Sequence, residues 1–222
     1  HCMATVTGDV LGHSQVGVHV SIIGDVLFHP LSIDEECEEL LKSTFDLEMV
    51  PFSIGGSTLL GSLIRGNKNG IAVADIATEK DLDRLTSFGE VVIMESGVNA
   101  AGNLIACNNH GAVVGMTIPG PGCDLISEIL GVPSARVRIS GQDTVGSALV
   151  ANDKGVLAHP DISETEASVV SEALGVPLMV GTVCFGSPYV GAGCITSNDS
   201  VLAGTGTTGP ELNRIEDALG LI

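Results

Sequence analysis

Six cysteines, at positions 2, 37, 107, 123, 184 and 194, are the residues best equipped for chemistry. A cysteine nucleophile needs a thiolate and a proton carrier beside it, and a zinc site needs closely spaced ligand pairs. The chain has no CxxC pair, so no metal site is expected. Thiols scattered in this way read as reduced, buried small hydrophobes of a cytoplasmic protein. His29 and His159 each precede a proline at nearly the same place in the repeat described below. Common architecture explains such a pair better than acid–base catalysis does. The run from Asp34 to Glu39 suits the positive end of a helix dipole, as a solvated helix start or as a surface for a basic partner. Lys68, one of four lysines, reads as a solvated turn residue or as a contact to phosphate or carboxylate.

The composition narrows the classes. The 222 residues are 44% hydrophobic and 16% charged, which fits a globular chain with a sizeable core. Nine Lys and Arg against 27 Asp and Glu give a net charge of −18. Each phosphate contact needs a cation, so nonspecific nucleic-acid binding is excluded and little direct RNA contact is expected. The charge also suits solubility at high salt. No run of 18 apolar residues appears, so no membrane helix is expected. His1-Cys2-Met3-Ala4 lacks the basic and apolar parts of a signal peptide. Gly makes up 29 residues and Trp is absent, which suggests tight turns and closely packed small residues.

What must position these groups is a repeat written five times. Glycines anchor it at Gly17, Gly61, Gly102, Gly146 and Gly191, in steps of 44, 41, 44 and 45 residues. Six residues past four of the anchors stand Asn67, Asn108, Asn152 and Ser197. The first three open the turns Asn67-Lys-Asn-Gly70, Asn108-Asn-His-Gly111 and Asn152-Asp-Lys-Gly155. The fifth copy has Ser197-Asn-Asp-Ser200 and the first has Gly24-Asp25. Asn and Gly tolerate positive φ, so hairpin turns are predicted here between short apolar strands. Helix starts follow. Thr208/Glu211, Ser163/Glu166 and Ser32/Glu35 read as capping boxes, Thr78/Asp81 as a weaker one, and the third copy has Pro119-Gly-Pro-Gly122 instead. Ile126/Ile129/Leu130, Val170/Ala173/Leu174 and Ile215/Ala218/Leu219 share one apolar phase, and Gly131, Gly175 and Gly220 follow as C-caps. Each unit reads strand, turn, strand, helix, strand. With no capping repeat at either end, five such units close a ring, and small residues sit where five strands converge on its axis.

A five-unit α/β ring of this length resembles the pentein fold, a five-bladed α/β propeller. More specifically, the chain resembles the archaeal translation initiation factor 6 family. The closest segment is Gly206-Thr-Thr-Gly-Pro-Glu-Leu-Asn-Arg-Ile-Glu-Asp-Ala-Leu-Gly-Leu-Ile222. Ile54-Gly-Gly-Ser-Thr58, Gly66-Asn-Lys-Asn-Gly70, Asn99-Ala-Ala-Gly-Asn-Leu104, Thr144-Val-Gly-Ser147, Gly155-Val-Leu-Ala-His-Pro160 and Val176-Pro177 also match. The resemblance runs from about Gln15 onward and implies a single domain, 1–222, with repeats at approximately 15–56, 57–98, 99–142, 143–187 and 188–222. It implies a monomer without catalytic residues, metal or cofactor. It also implies binding to the large ribosomal subunit, chiefly to a ribosomal protein beside the sarcin–ricin loop, where the factor blocks the small subunit. The eukaryotic relatives add a part in large-subunit maturation. An acidic factor docking on a basic protein agrees with the charge.

The resemblance places the subunit-facing surface at one end of the ring, where anchors and adjacent loops emerge. Its positions here are Gly17, Ser62, Asn103, Ser147 and Ala192, with Asn67, Lys68 and Asn109 on the hairpin turns. Asn103 reads equally as a partner contact or as a local cap. Thr207, Thr208 and Glu211 read first as a helix cap. The alternative function comes from related pentein rings, guanidine-modifying enzymes with a Cys nucleophile, a His and acidic residues at the central channel. No Cys of this chain stands in such a motif with a placed His.

Overall fold

A computed structural model describes residues 5–95 and 100–222. Cys2 and Asn99, named above, lie outside them. The first strand is β1 (Thr5–Gly8). Unit one then runs α1 (Val16–His19), β2 (Ser21–Ile23), β3 (Val26–Pro30), α2 (Glu35–Thr44), β4 (Glu48–Phe52). Unit two is α3 (Leu60–Leu63), β5 (Ile64–Gly66), β6 (Gly70–Ala74), α4 (Glu79–Leu85), β7 (Glu90–Met94). Unit three is α5 (Ala101–Leu104), β8 (Ile105–Cys107), β9 (Ala112–Val114), α6 (Gly120–Leu130), β10 (Ser134–Arg136). Unit four is α7 (Val145–Ala148), β11 (Leu149–Ala151), β12 (Val156–Ala158), α8 (Glu164–Leu174), β13 (Leu178–Val180). Unit five is α9 (Val190–Gly193), β14 (Cys194–Thr196), β15 (Val201–Gly204), α10 (Gly209–Ala218).

The expected five-unit ring forms. Each unit has a three-stranded sheet whose first two strands are antiparallel and whose last two are parallel, joined across a helix. The fifth sheet takes its third strand from the other end of the chain, since β1 pairs in parallel with β15 from Thr5↔Val201 to Gly8↔Gly204. Residues before 15, left outside the five repeats, therefore complete the last one. The anchors differ from the expectation in one respect. They sit on the one-turn helices α1, α3, α5, α7 and α9 rather than on strands. There, a Cβ on Gly61 would overlap the carbonyl oxygen of Gly17. Gly102 stands so to Gly61, Gly146 to Gly102, Gly191 to Gly146, and Gly17 to Gly191, which closes the circle. Apolar clusters lie around this hub, such as Val113, Ile139, Leu149, Val156, Val170 and Leu174.

The caps follow the sequence with three corrections, one being that Leu219 and not Gly220 is the C-cap of α10. Ser163/Glu166, Thr208/Glu211 and Thr78/Asp81 are all complete capping boxes, the last no weaker in pattern than the others. Helix α2 is capped by Asp34, which accepts from the Cys37 N–H at 2.8 Å, and not by Ser32. A carboxylate one residue before the acidic first turn takes the free N–H directly. Pro119 starts α6 without a side-chain cap. Gly131 and Gly175 end their helices at φ 63° and 66°. The hub generates a test. Gly146→Ala should cost more than about 3 kcal/mol in urea unfolding, because backbone must move on two sides. Gly120→Ala meets open space and should stay within about 0.5 kcal/mol.

Candidate functional site

Topology gives the ring two unlike ends. Each inner strand (β2, β5, β8, β11, β14) runs from its anchor helix to a hairpin turn, and the middle strand returns. Helix N-termini and the loops before each anchor thus share the anchor end. Helix C-termini share the other end with the hairpin turns. The expected surface residues divide accordingly. Ser62, Asn103, Ser147 and Ala192, each one residue past an anchor, lie at the anchor end; Gly17 is a buried anchor itself, and its unit's matching position is Val18. Asn67, Lys68 and Asn109 lie at the hairpin end. The structure does not bring the two groups together.

At the hairpin end, buried asparagines staple neighbouring units. Asn67 Oδ1 accepts from Asn69 and Gly70 N–H at 2.9 and 3.3 Å, while Nδ2 donates to the Asn108 and Leu130 carbonyls at 3.2 and 2.9 Å. Asn108 repeats this toward Asn152 and Leu174, at 3.1 and 2.9 Å. Asn152 does so toward Ser197 and Leu219, at 3.1 and 2.9 Å. The predicted turns are present, but none of these three asparagines has positive φ; their side chains build the turn instead. A second ladder lies outside the first. Lys68 N–H donates to Asn109 Oδ1 at 3.0 Å, Asn109 N–H to Asp153 Oδ1 at 2.8 Å, and Asp153 N–H to Asn198 Oδ1 at 2.8 Å. Burial would raise the Asp153 carboxyl, but bonds from Asn198 and Asn109 outweigh it and hold it below the usual range. Inside these ladders opens a cavity of about 600 Å³, with Asp25, Asp46, Asp153 and Asp199 on its lining.

At the anchor end, capping-box acids do a second task that sequence reading missed. Asp81 accepts from Gly55 N–H at 2.8 Å, Glu166 from Ser140 N–H at 3.1 Å, and Glu211 from Phe185 N–H at 3.1 Å. The separation is 26 residues each time, which was a signal available in the sequence. Glu211 also accepts from Gly186 N–H, Thr182 Oγ1 and both Thr208 donors at 2.6–3.0 Å. Thr207 Oγ1 accepts from Cys184 N–H at 3.0 Å. These bonds hold Cys184 and Phe185 at φ 53° and 63° and present a Phe185 side chain that is 81% exposed. Asn103 caps no local backbone group among the described residues; its Oδ1 accepts from Ser147 Oγ at 3.4 Å.

The groups first considered for chemistry are engaged elsewhere. His29 and His159 are buried; His29 Nδ1 meets its own proline's carbonyl at 2.8 Å and His159 Nδ1 accepts from Asp161 N–H at 3.0 Å. Burial pushes the thiols of Cys37, Cys184 and Cys194 up, and that of Cys107 up to about 11. Among the described residues, no three His, Cys, Asp or Glu side chains converge as a metal would need. No helix among them is long and apolar enough to cross a membrane.

Glu211 gives a pH test. Burial raises its carboxyl, but the donors from Thr182, Thr208 and Gly186 outweigh this and lower it to about 2. A depressed carboxylate stabilises the fold fully above its unfolded value near 4.5, and the contribution is lost as pH falls toward 2. Glu211→Gln should cost about 2 kcal/mol at pH 7, less than the full shift implies because solvent screens a partly exposed group. The gap from wild type should close between pH 4.5 and 2 in acid-unfolding curves.

The model of the eIF-6 family matches residues 5–218. Proteins named Translation initiation factor 6 are similar across the chain: that of Natronomonas pharaonis is 46% identical over 213 residues, covering 95% of this chain and 96% of the relative. That of Halorubrum lacusprofundi is 45% identical with the same coverage. That of Methanocella arvoryzae is 39% identical over 214 residues, covering 96% and 97%. Among solved structures, an adduct of dimethylarginine dimethylaminohydrolase with S-methyl-L-thiocitrulline aligns with a TM-score of 0.47 and 11% identity, over 75% of this chain and 70% of that one.

Proposed function

The chain belongs to the eIF-6 family, and from that membership we propose that it binds the large ribosomal subunit and by its bulk keeps the small subunit from joining. The observation that carries this reading is the family match from residue 5 to residue 218, the whole ring rather than one motif. The factor acts as a monomeric single domain in the cytoplasm, without cofactor or catalysis. Its main contact is a basic ribosomal protein beside the sarcin–ricin loop, and it touches little RNA, in keeping with a charge of −18. The raised thiols support the non-enzymatic reading, since nucleophilic attack needs a thiolate near neutral pH.

For the contact face we propose the anchor end, with Ser62, Asn103, Ser147 and Ala192 around the axis. Phe185 supports the choice. Its backbone is already fixed by Glu211, so docking there orders only the exposed aromatic side chain, and aromatic residues are enriched among interface anchors. Lys68 and Asn109 then serve the hairpin ladder. Co-sedimentation with purified archaeal subunits tests the whole reading. The expected result is binding to the large subunit alone, with fewer joined ribosomes as protein is added; no binding at matched salt overturns it. Ser147→Arg should weaken binding at least tenfold without loss of stability, while Asp199→Ala at the opposite end should not. Acid-on-base docking should also weaken as ionic strength rises.

A further inference from the structure

The loop before the first anchor is built unlike its counterparts. Val10 and His13 exchange backbone hydrogen bonds at 3.0 and 2.9 Å, across Leu11 and Gly12 at φ 52° and 75°. In units two, four and five a capping acid takes the matching loop N–H. The same step of 26 residues leads from Leu11 to Cys37, where the partner is a thiol that burial keeps neutral. Sulfur accepts hydrogen bonds weakly. Among the described residues, four buried side-chain polar atoms have no hydrogen-bond partner. Three of them, Thr5 Oγ1, Asp9 Oδ1 and His19 Nδ1, fall between residues 5 and 19. Such atoms regain water when a segment opens, so they lower the cost of opening it.

A titratable pair sits in this stretch. His19 ends α1, two residues past anchor Gly17, where the other units hold Leu63, Leu104, Ala148 and Gly193. It is 7% exposed. Its ring stacks on that of the exposed His13, with centroids 5.0 Å apart and planes 17° from parallel. Burial, and then His13, hold His19 below its usual value, against the Thr58 backbone, which favours the charged ring. The surroundings offer no counter-charge. Helices α3 and α9 and strands β14 and β15 pack on α1, and none carries an acidic or basic side chain. Burial pushes the Cys194 thiol of β14 up, so it stays neutral. Residues 53–58 include no charged side chain. Arg65 reaches the hub carbonyls from β5, and a cation opposes a second positive charge. Asp9 forms no ion pair among the described residues. A proton added to His19 therefore finds its solvation only when the loop lifts.

The loop also bears on the anchor-end surface. The Ser14 carbonyl accepts from the Cys184 thiol at 3.6 Å, and Cys184 precedes Phe185 on the positive-φ loop of unit five. We propose that residues 9–14 form a proton-operated latch: in acid the His13–His19 stack parts, the loop lifts, and the Phe185 loop loses its support. The effect on docking rests on the anchor end being the contact face; the latch itself does not. The sign follows from linkage. A histidine lowered in the closed form binds its proton more readily in the open form. The open population therefore grows as pH falls below 6.5, by at most about tenfold per unit for one proton.

Hydrogen exchange of the full chain, read by mass spectrometry and corrected for the intrinsic pH dependence of amide exchange, tests the latch. Opening at Val10, Leu11 and His13 should rise at least about threefold from pH 7.5 to 5.5, while the matching loops 54–57 and 139–142 stay unchanged. No rise, or an equal rise in all three loops, overturns the proposal. His19→Leu copies units two and three and should abolish the rise; a rise that persists overturns the proposal. If that variant does not fold, the comparison of loops in the wild-type chain decides. Co-sedimentation with large subunits at the same two pH values tests the coupling. Wild type should lose more binding at pH 5.5 than His19→Leu does. Equal loss overturns the coupling, and no binding at either pH overturns the contact reading while exchange still decides the latch.

Discussion

Everything in this structure depends on how closely five backbones pack around one axis. Each anchor glycine lies against the carbonyl of its neighbour, and none has room for a Cβ. That contact fixes the radius of the ring. The inner strands follow directly from the anchor helices and are only three residues long, roughly 10 Å. The hairpin turns at their far ends are therefore held as close as the hub allows. A buried asparagine can then reach its own turn and the next unit at once. Tight backbone packing at one end makes polar stapling possible at the other.

The staples also show where the repeat stops being symmetric. Asn67, Asn108 and Asn152 tie unit two to three, three to four and four to five. Ser197 is too short to continue, and its Oγ serves only its own turn, accepting from Asp199 and Ser200 N–H at 3.2 and 3.1 Å. Gly24 has no side chain at all in the matching outer position. The junction between units five and one is closed by different means, the four-residue pairing of β1 with β15. Opposite ends of the chain meet there, so ring closure and chain-end ordering are one event.

Much of this was legible in the sequence because it is periodic. The anchor spacing, the turn residues, the helix phase and the glycine C-caps all recur, and recurrence gave their place in the unit. Non-local partners left no such trace. Asn67 reads as a turn former whether it adopts positive φ or bonds through its side chain, and only the neighbouring Leu130 carbonyl explains its burial. The strand before residue 15 fills the third-strand place of the last unit, but its partner lies about 200 residues away, so no local pattern assigns it there. Ser32 lost the cap to Asp34 through a local contest that composition does not decide. Among the candidate surface residues, Ser62, Asn103, Ser147 and Ala192 share one offset from their anchors and Gly17 does not, and an offset does not say which end of a strand faces which mouth.

The two mouths differ in chemistry because their loops are built differently. At the hairpin end the loops are satisfied by amides and carboxylates that face inward, so the polar groups are spent on holding the ring and the lining is acidic. At the anchor end three of the tight loops, at Gly55, Ser140 and Phe185, are satisfied from behind by helix-capping acids 26 residues later. Their outer faces are left free of structural duty. A side chain such as Phe185 can therefore stand in solvent without weakening the fold, on a loop whose positive-φ backbone is held by Glu211 and Thr207. Contact with a large partner asks for such a surface: rigid, exposed, and decoupled from the bonds that keep the ring closed. The same logic explains why the cap acids recur when the loop residues they hold, Gly55, Ser140 and Phe185, do not. The frame repeats because five units must close, and the tips are free to vary because closure does not depend on their side chains.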